Sequence, residues 1–589
     1  MDALTQSSRF LMQATLGVDE AVIAHVAQVG VEPWLAEQLN QPAPHPSHYA
    51  EQTEQIWHHF RDRLLHRHGM AAINGSGNNP ALPYKWYFRM AWWHSALTEK
   101  KHLLRQRIAQ ALSEILVISD QSNLELDAVG MGSYYDLLYT HAFGRYSDLL
   151  YDVAMHPCMG VYLSHMNNQK ADPLKPIHPD ENFAREIMQL FTIGLYALNA
   201  DGSRKLDPQG QPIPSYDNRD IKSLARVFTG LHADSYEYAW QTDFWQAEYN
   251  GYPVAFEDGI DKTYKTVPFV NMQKPMVVEE AFHDRGAKQL LKGRIRLRGH
   301  QDGAAEIRSA ITQLVAHPNT APFIARQLIN QLVTANPSPD YVRTVAAKFG
   351  PHGDMKAVIK AILSYPLHHP VSGVTLPSGY QEGGKVVQSQ KLKSPTLRLT
   401  QILRAFGVHN RANRLWVIGD ELLDQLQHHP LSSPTVFNFY KPDFVPHGPL
   451  AMKNMVAPAF ELHTSATSIA YVNLMYYWFF GGFYPAVSLD ISADPNLNNV
   501  PELDTDTLWQ QPHARLNLNL KPYQQLAANP ASHDGLIDRL SLLLTGKQQL
   551  PIKGQIKEAF SSYQDRPDWV VQTILFMLTI SPEFTVQEA

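Results

Sequence analysis

The sequence predicts a mainly α-helical fold: a large multi-helix globular protein with a few short strands in long irregular insertions. Apolar residues recur at i, i+3, i+4 and i+7 along most of the chain, as on one buried helix face. Aromatic-rich and proline-rich stretches without this spacing predict strands and loops. A composition of 44% hydrophobic and 18% charged residues is that of an ordinary globular protein. Because 589 residues exceed one ordinary core, we expect two or three cores, or one large core with satellites.

The chain is predicted to have two regions. Residues 1–365 form a helical core domain with an irregular aromatic insertion at about 232–300, and residues 385–589 form a C-terminal helical region packed on that core. The boundary lies in the run from Tyr365 to Gly384, because proline and glycine are frequent there, as they are in linkers.

The N-terminal part predicts a succession of short helices. Two helices are expected between Thr5 and Leu39, the second ending at Gly30. The segment from Lys101 to Ser119 predicts a helix with one apolar stripe. A polar stripe at i, i+3 and i+7 runs beside it and consists of Arg107, Gln110 and Glu114.

Helical spacing continues from Tyr134 to Met166, with breaks predicted near Gly144 and at His156. The segment from Tyr236 to Val270 is unusually aromatic and too polar for a buried helix, so it predicts short strands and loops. Helices return between Gly299 and Phe349.

The segment from His178 to Gly194 carries the most informative pattern. Asp180 follows a proline and predicts a helix N-cap, after which apolar residues at i, i+4, i+7 and i+8 mark a buried face. Glu181 and Arg185 are predicted to form an i, i+4 pair on this helix.

Glu186 lies on the flank of the same apolar face and is predicted to be half-buried. A carboxylate in a dry site needs a cation, a metal or several hydrogen-bond donors. We therefore expect Arg107 to be its cationic partner. Two interpretations follow, a structural ion pair between helices and an active or ligand-binding site.

The second concentrated motif runs from Phe282 to Lys288 and contains a glycine turn. His283 and Asp284 are candidate metal ligands that need at least one further donor, for which Glu186, His178 or Asp220 is available. Histidine and carboxylate sets of this kind suit Zn, Mn or non-haem Fe. The alternative is a histidine–aspartate pair that only closes a turn.

Several functional classes lose support from the sequence. A net charge of −6 and a pI near 6.5 give no general attraction to nucleic acid. The nucleophile elbow of serine hydrolases, the phosphate-binding loop, the dinucleotide-binding glycine motif and the His-Glu-x-x-His motif do not occur. The single cysteine, Cys158, excludes an intrachain disulfide and is predicted to be a buried, inert thiol.

No transmembrane span is predicted. The segment from Thr464 to Leu489 has no charged residue, but Asn473, Gly481 and Pro485 interrupt it. A buried helix with an aromatic turn is expected there, and an exposed aromatic patch for a partner is the alternative. The first residues show no basic segment followed by an apolar one, so no signal peptide is expected in this sequence.

Motifs in order along nearly the whole chain resemble the bacterial domain-of-unknown-function family numbered eighteen hundred. The most specific are Glu181-Asn182-Phe183-Ala184-Arg185-Glu186 and the later His283-Asp284 with Gly286 and Lys288. The others are Arg9-Phe10-Leu11 with Ala14-Thr15-Leu16-Gly17, Trp34-Leu35 with Gln38-Leu39, Arg107 with Ala111-Leu112-Ser113, His156-Pro157, Ala225-Arg226 with Thr229-Gly230, and Ser581-Pro582-Glu583-Phe584.

This resemblance implies a mostly helical bacterial protein that is exported to the periplasm or secreted, with a cytoplasmic location as the alternative. It also implies a partner similar to the alkaline-phosphatase and sulfatase superfamily, and it implies no known reaction. The chain departs from the family pattern at Gln189 and Phe191, where relatives often carry Glu and His, and at Leu231, where Trp is usual. A metal site that relied on those donors is weakened.

The expected function is that of an envelope or secreted protein, possessing a metal-assisted active site for an extracellular or cell-envelope polymer. The residues expected to carry it are His283, Asp284, Glu186, Arg107, Arg226 and Lys288. In this hypothesis His283, Asp284 and Glu186 bind a divalent metal or act as acid and base. The rival hypothesis is a non-catalytic binding or assembly protein in which these charges form a buried structural network.

Overall fold

The computed structural model describes residues 2–44, 48–68, 83–242, 248–249, 252–253, 257–258, 264–369, 373–375, 385–387, 391–410, 413–417, 419–481 and 516–587. Within these ranges the side chains are described except in 60–68, in 236–269, in the strands at 373–375 and 385–387, and at Glu421.

The protein is mainly α-helical, as predicted, with 24 α-helices in the described ranges. The N-terminal part contains α1 (Ala3–Ala14), α2 (Glu20–Val29), α3 (Val31–Asn40), α4 (His48–His68), α5 (Trp86–Thr98), α6 (Leu103–Ser113), α7 (Ala128–Thr140), α8 (Tyr146–Met155), α9 (Pro157–Tyr162), α10 (Asn182–Gln189) and α11 (Asn218–Ala225).

The middle of the chain contains α12 (Gly303–Val315), α13 (Thr320–Leu332), α14 (Pro339–Ala346) and α15 (Met355–His368). The C-terminal part contains α16 (Pro395–Ala405), α17 (Asp420–Leu426), α18 (Pro449–Met452), α19 (Ser465–Phe480), α20 (Lys521–Ala527), α21 (His533–Thr545), α22 (Lys553–Ala559), α23 (Pro567–Ile580) and α24 (Pro582–Thr585).

The strands are short, and most lie in the predicted insertion. They are β1 (Leu231–His232), β2 (Tyr236–Thr242), β3 (Glu248–Tyr249), β4 (Tyr252–Pro253), β5 (Glu257–Asp258), β6 (Tyr264–Val270), β7 (Val277–Val278), β8 (Lys288–Leu290), β9 (Ile295–Leu297), β10 (Gly373–Thr375), β11 (Lys385–Val387), β12 (Lys391–Leu392) and β13 (Val586–Gln587). All pairings are antiparallel: β2, β6 and β5 form one sheet, and the others pair as β1–β7, β3–β4, β8–β9, β10–β11 and β12–β13.

Local sequence signals explain many helix ends. The Asp19 side chain accepts the Val22 N–H at 3.0 Å and begins α2. Gly30, at φ 92°, ends α2 and is followed directly by α3. The region from Thr5 to Leu39 therefore contains three helices, whereas two were predicted. Asp180 accepts the Asn182 N–H at 2.7 Å at the start of α10.

One connected cluster of buried apolar side chains extends from Phe10 to Phe584 and crosses the predicted boundary. Helix α1 packs on α21, where Ser8 donates to the Leu542 carbonyl at 2.7 Å. Most of the proline- and glycine-rich run at the boundary lies outside the described residues. The two predicted regions therefore share apolar contacts.

The remaining predictions for single segments have clear outcomes. Cys158 is buried, and burial raises the pKa of its thiol, as expected of an inert cysteine. The apolar segment after Thr464 forms α19, which ends at Phe480. Across the described ranges, no helix has both the length and the apolar character that crossing a membrane requires.

Candidate functional site

The predicted turn around His283 belongs to a buried charge network. Lys288 Nζ lies 2.6 Å from Glu306 Oε1, and both side chains have no exposed surface. His283 Nε2 lies 3.4 Å from Glu306 Oε2, while its Nδ1 lies 2.8 Å from the Thr229 carbonyl. Burial lowers the pKa of His283, but Glu306 and the Thr229 carbonyl raise it more, so the pKa is above its usual value.

Arg226 completes this network from the end of α11. Its guanidinium donates Nε–H and Nη2–H to the two oxygens of Asp284, at 2.7 and 3.0 Å. Burial raises the pKa of Asp284, but Arg226, the Gly286 N–H and Lys288 together lower it more, so the carboxyl has a pKa below its usual value. We call Arg226, His283, Asp284, Lys288 and Glu306 together the His283 network.

The His283 network stands where the insertion begins and ends. Leu231 pairs with Val278, and the Gly230 carbonyl accepts the Glu279 N–H at 2.7 Å. A Cβ on Gly230 would lie 2.8 Å from the Glu279 carbonyl oxygen, so this close approach requires glycine. The network therefore fastens the two ends of the insertion to α12, which carries Glu306.

The predicted metal ligands are not assembled as a site. No group of three or more His, Cys, Asp or Glu residues in the described ranges could hold a metal ion. Asp284 is engaged by Arg226, and both ring nitrogens of His283 face protein oxygens. In the described residues, His283, Asp284 and Glu186 therefore do not form a group of metal ligands.

Glu186 does not pair with Arg107, the cation predicted to be its partner. The residue is 5% exposed, its Oε2 has no hydrogen-bond partner, and burial raises the pKa of its carboxyl. Arg107 instead donates to Gln110 and to the Gln331 carbonyl, so the predicted Arg107–Glu186 pair is not formed. The predicted pair of Glu181 and Arg185 is present at 3.7 Å.

A pocket of about 270 Å³ lies beside the end of α6, and we call it the Glu114 pocket. Its walls come from the last turns of α13, from β12 and β13, and from the segment 436–460. Most of the lining is apolar: Ile115, Leu190, Ala335, Leu392, Val436, Phe437, Pro442, Leu450, Met455, Val456, Ala457, Pro458, Ala459, Phe460 and Val586. Its volume is close to the lower end of small-molecule sites, roughly 300–1,000 Å³.

Glu114 supplies a carboxylate to the polar part of this pocket. One of its oxygens accepts the Tyr440 hydroxyl at 2.9 Å, and the other accepts from Gln110 and lies 3.5 Å from His428 Nε2. Burial raises the pKa of Glu114, but these donors and the nearby Lys391 lower it to about 2. The carboxylate is ionised and already well supplied with donors.

Lys391 stands near Glu114 in the wall of the pocket. Its Nζ donates to the Asn330 and Gln331 carbonyls, at 2.7 and 2.8 Å. Burial and the neighbouring Arg107 lower the pKa of Lys391 to about 7, although Glu114 acts in the opposite direction. This lysine changes its charge near neutral pH.

Three side chains from distant parts of the chain meet at the C-terminus of α13. Besides Lys391, Arg107 donates to the Gln331 carbonyl, and Gln587 donates to the Leu332 carbonyl at 2.8 Å. The last carbonyls of a helix lack partners within the helix and carry partial negative charge, which cations stabilise. The end of α13 thereby positions the cations of the pocket.

Two hydrogen bonds between Asn336 and the Val456 backbone hold the segment 436–460 to the rest of the protein. Asn336 donates to the Val456 carbonyl at 2.8 Å and accepts the Val456 N–H at 2.9 Å. Phe437, which also lines the pocket, is 47% exposed, so the apolar lining continues to the surface. The wall is fixed and the pocket is open on this side.

A family model described as a protein of unknown function, DUF1800, matches residues 9–586, nearly the whole chain. The chain belongs to this family. No curated protein and no solved structure matches it.

Some of the residues that carry the resemblance to DUF1800 lie at these two sites. His283, Asp284, Lys288 and Arg226 belong to the His283 network, whereas Arg107 stands beside the Glu114 pocket. Leu190, the residue that follows the DUF1800 signature helix α10, lines the pocket.

Sequence reasoning missed Lys391 and Glu306 in this DUF1800 protein. Glu306 lies inside an ordinary amphipathic helix, and Lys391 lies in a strand of two residues, so neither has a local motif. Glu114 could have been found from the sequence, since it ends the polar stripe that begins at Arg107. The sequence prediction paired Arg107 with Glu186, whereas the stripe residues contact one another.

Proposed function

We propose that this protein binds a compact, largely apolar small molecule in the Glu114 pocket, and that the His283 network maintains the fold. The observation that carries the proposal is the convergence of Glu114, Lys391 and Tyr440 in one apolar pocket. Apolar pockets with a few converging polar groups and shifted pKa values are where ligands usually bind. All three groups have shifted pKa values: the pKa of Glu114 falls to about 2, that of Lys391 falls to about 7, and burial raises that of Tyr440.

The His283 network supports the rival hypothesis of a binding protein over that of a metal-assisted enzyme. Its carboxylates face cations of the protein, and Lys288 and Glu306 have no exposed surface for a substrate. The aromatic segment expected to line a polymer site, from Tyr236 to Phe256, has its side chains outside the described residues. Export and a partner similar to alkaline phosphatases and sulfatases stay predictions.

The proposal is tested by calorimetric titration with two probes, octanoate and 1-octanol. Both are unbranched eight-carbon molecules, and at least one should bind the wild-type protein. Ala459→Trp should weaken that binding at least about tenfold, because Ala459 is a half-buried residue of the pocket wall and a bulky ring fills the space.

Ala24→Trp is the matched control, since Ala24 is exposed on α2, away from the pocket lining. It should bind the probes as the wild type does. Absence of binding of both probes to the wild type, or equal binding to Ala459→Trp, would overturn the assignment of the pocket.

A further inference from the structure

We propose that the ligand of the Glu114 pocket is an apolar monocarboxylic acid, and that Lys391 binds its carboxylate. This inference rests on the proposed function of the pocket and specifies the chemical class of the ligand. The charges, the free hydrogen-bond donor and the apolar walls of the pocket all favour such a ligand.

The charges at the polar end do not balance. Arg107 and protonated Lys391 both donate to the Gln331 carbonyl, so two cations share one neutral acceptor. Among the described residues, Glu114 is the carboxylate that acts on both cations, so Arg107, protonated Lys391 and ionised Glu114 together carry one excess positive charge. Buried charge without a counter-ion is costly, so a ligand carboxylate would be favoured there.

Lys391 has hydrogen-bonding capacity to spare. An ammonium group has three N–H donors, and the Asn330 and Gln331 carbonyls take two of them. The third donor has no partner among the described residues, and the side chain forms part of the pocket wall. A carboxylate would complete this set with a charge-assisted hydrogen bond.

Glu114 has little remaining capacity to bind a cationic group of a ligand. Gln110, Tyr440 and the nearby His428 already occupy both of its oxygens, and its low pKa keeps it ionised. A ligand amine would find few free acceptor positions there. The remaining capacity of the pocket is therefore that of a donor, which selects an anionic end.

The walls accept the apolar part of such a ligand. Leu392 follows Lys391 directly on β12, and Ile115 follows Glu114, so apolar surface begins beside each charge. It continues through Val436 to Phe437 at the open side. Burial of a hydrocarbon chain along this surface supplies the binding free energy, and the carboxylate fixes its direction.

Binding is expected to be coupled to proton uptake by Lys391. The charged groups that face it are Arg107 and Glu114 from α6 and its end, and Tyr440 and His428 contact Glu114. The free amine has a pKa of about 7, and a bound carboxylate would raise it. Affinity is then full below pH 7 and falls as pH rises, by about tenfold per pH unit until the bound-state pKa is reached.

Octanoate and 1-octanol test the pocket assignment and the carboxylate preference separately, because they have the same number of carbon atoms and differ in charge. At pH 6, octanoate should bind at least about tenfold tighter than 1-octanol, and this advantage should shrink by pH 9. Lys391→Met should bind both probes equally. Lys441→Met, at an exposed lysine of the same wall segment, should keep the preference for octanoate.

The wild-type protein alone provides a second readout that does not depend on the folding of any variant. Titrations in buffers of different ionisation enthalpy at pH 8 should show uptake of close to one proton per octanoate. Equal binding of the two probes at pH 6, blocked by Ala459→Trp, would refute the carboxylate inference and leave the pocket assignment standing. Failure of both probes to bind would refute both proposals.

Discussion

Lys288, which is buried, and Lys391, which is half-buried, have surroundings that give them different roles. Lys288 faces the Glu306 carboxylate at 2.6 Å, so its charge is neutralised within the protein. Lys391 faces carbonyl groups, and burial and Arg107 lower its pKa to about 7. A carboxylate acceptor makes a lysine structural, whereas neutral carbonyl acceptors leave its charge available to a ligand.

Lys288→Met tests the structural role. It leaves Glu306 buried without its cation and should lower the free energy of unfolding by about 3–5 kcal/mol, measured in urea. Arg219→Met removes an exposed partner of Asp217 and should leave stability close to that of the wild type. A Lys288→Met protein as stable as the Arg219→Met protein would contradict the account of the network.

For individual residues, the sequence predicted part of the His283 network and part of the polar group beside the Glu114 pocket. The short spacing of His283, Asp284 and Lys288 correctly indicated that they converge, since a turn brings them together whatever the rest of the fold does. Glu306 and Lys391 reach their partners through tertiary packing alone. The Arg107–Glu186 pair was wrong because helix faces predict burial but do not identify the neighbour.

At the scale of elements, close helix crossings depend on individual small residues. In α7, a Cβ on Gly132 would lie 2.9 Å from the Ala50 Cα in α4, which is too close for these backbones as they stand. Gly554 in α22 has open space at the same position. The sequence predicted helical structure from Tyr134 onward and in the C-terminal region, but only the packing shows which of the two glycines is required.

Gly132→Ala and Gly554→Ala form a matched pair for this argument. Gly132→Ala should destabilise the protein by about 1–3 kcal/mol, because α4 and α7 must move apart. Gly554→Ala should instead stabilise it by roughly 0.5–1 kcal/mol, because alanine restricts the unfolded chain at an exposed helical position. Thermal unfolding of both variants should show shifts of opposite sign; shifts of the same sign would refute the crossing argument.

At the scale of the whole molecule, the two ends of the chain are joined through one apolar core. Helix α1 packs on α21, and β13 at the end of the described chain pairs with β12 beside the pocket. Composition predicted a boundary near residue 375, but it carries no information on contacts made across that boundary. The mainly helical class was predictable because periodicity repeats in almost every segment.

Separate expression of residues 1–369 and 391–589 tests the shared core. Neither piece should unfold cooperatively alone, since each would expose apolar residues that the other covers. Co-expressed pieces should purify together, and the joined complex should regain a cooperative thermal transition. Two pieces that each fold independently would show that the boundary separates autonomous domains.

Because the His283 network fastens both ends of the insertion, the loop between them can change in length. The excursion leaves at Leu231 and returns at Val278, and its last part packs in the framework, since Val270, Met272 and Met276 are buried in the core. Lengthening a loop costs little, about 0.6 kcal/mol for each doubling of its length. The number of residues between Leu231 and Val270 can thus change at little cost while the framework keeps its shape, whereas the stretch from Val270 to Met276 is part of that framework.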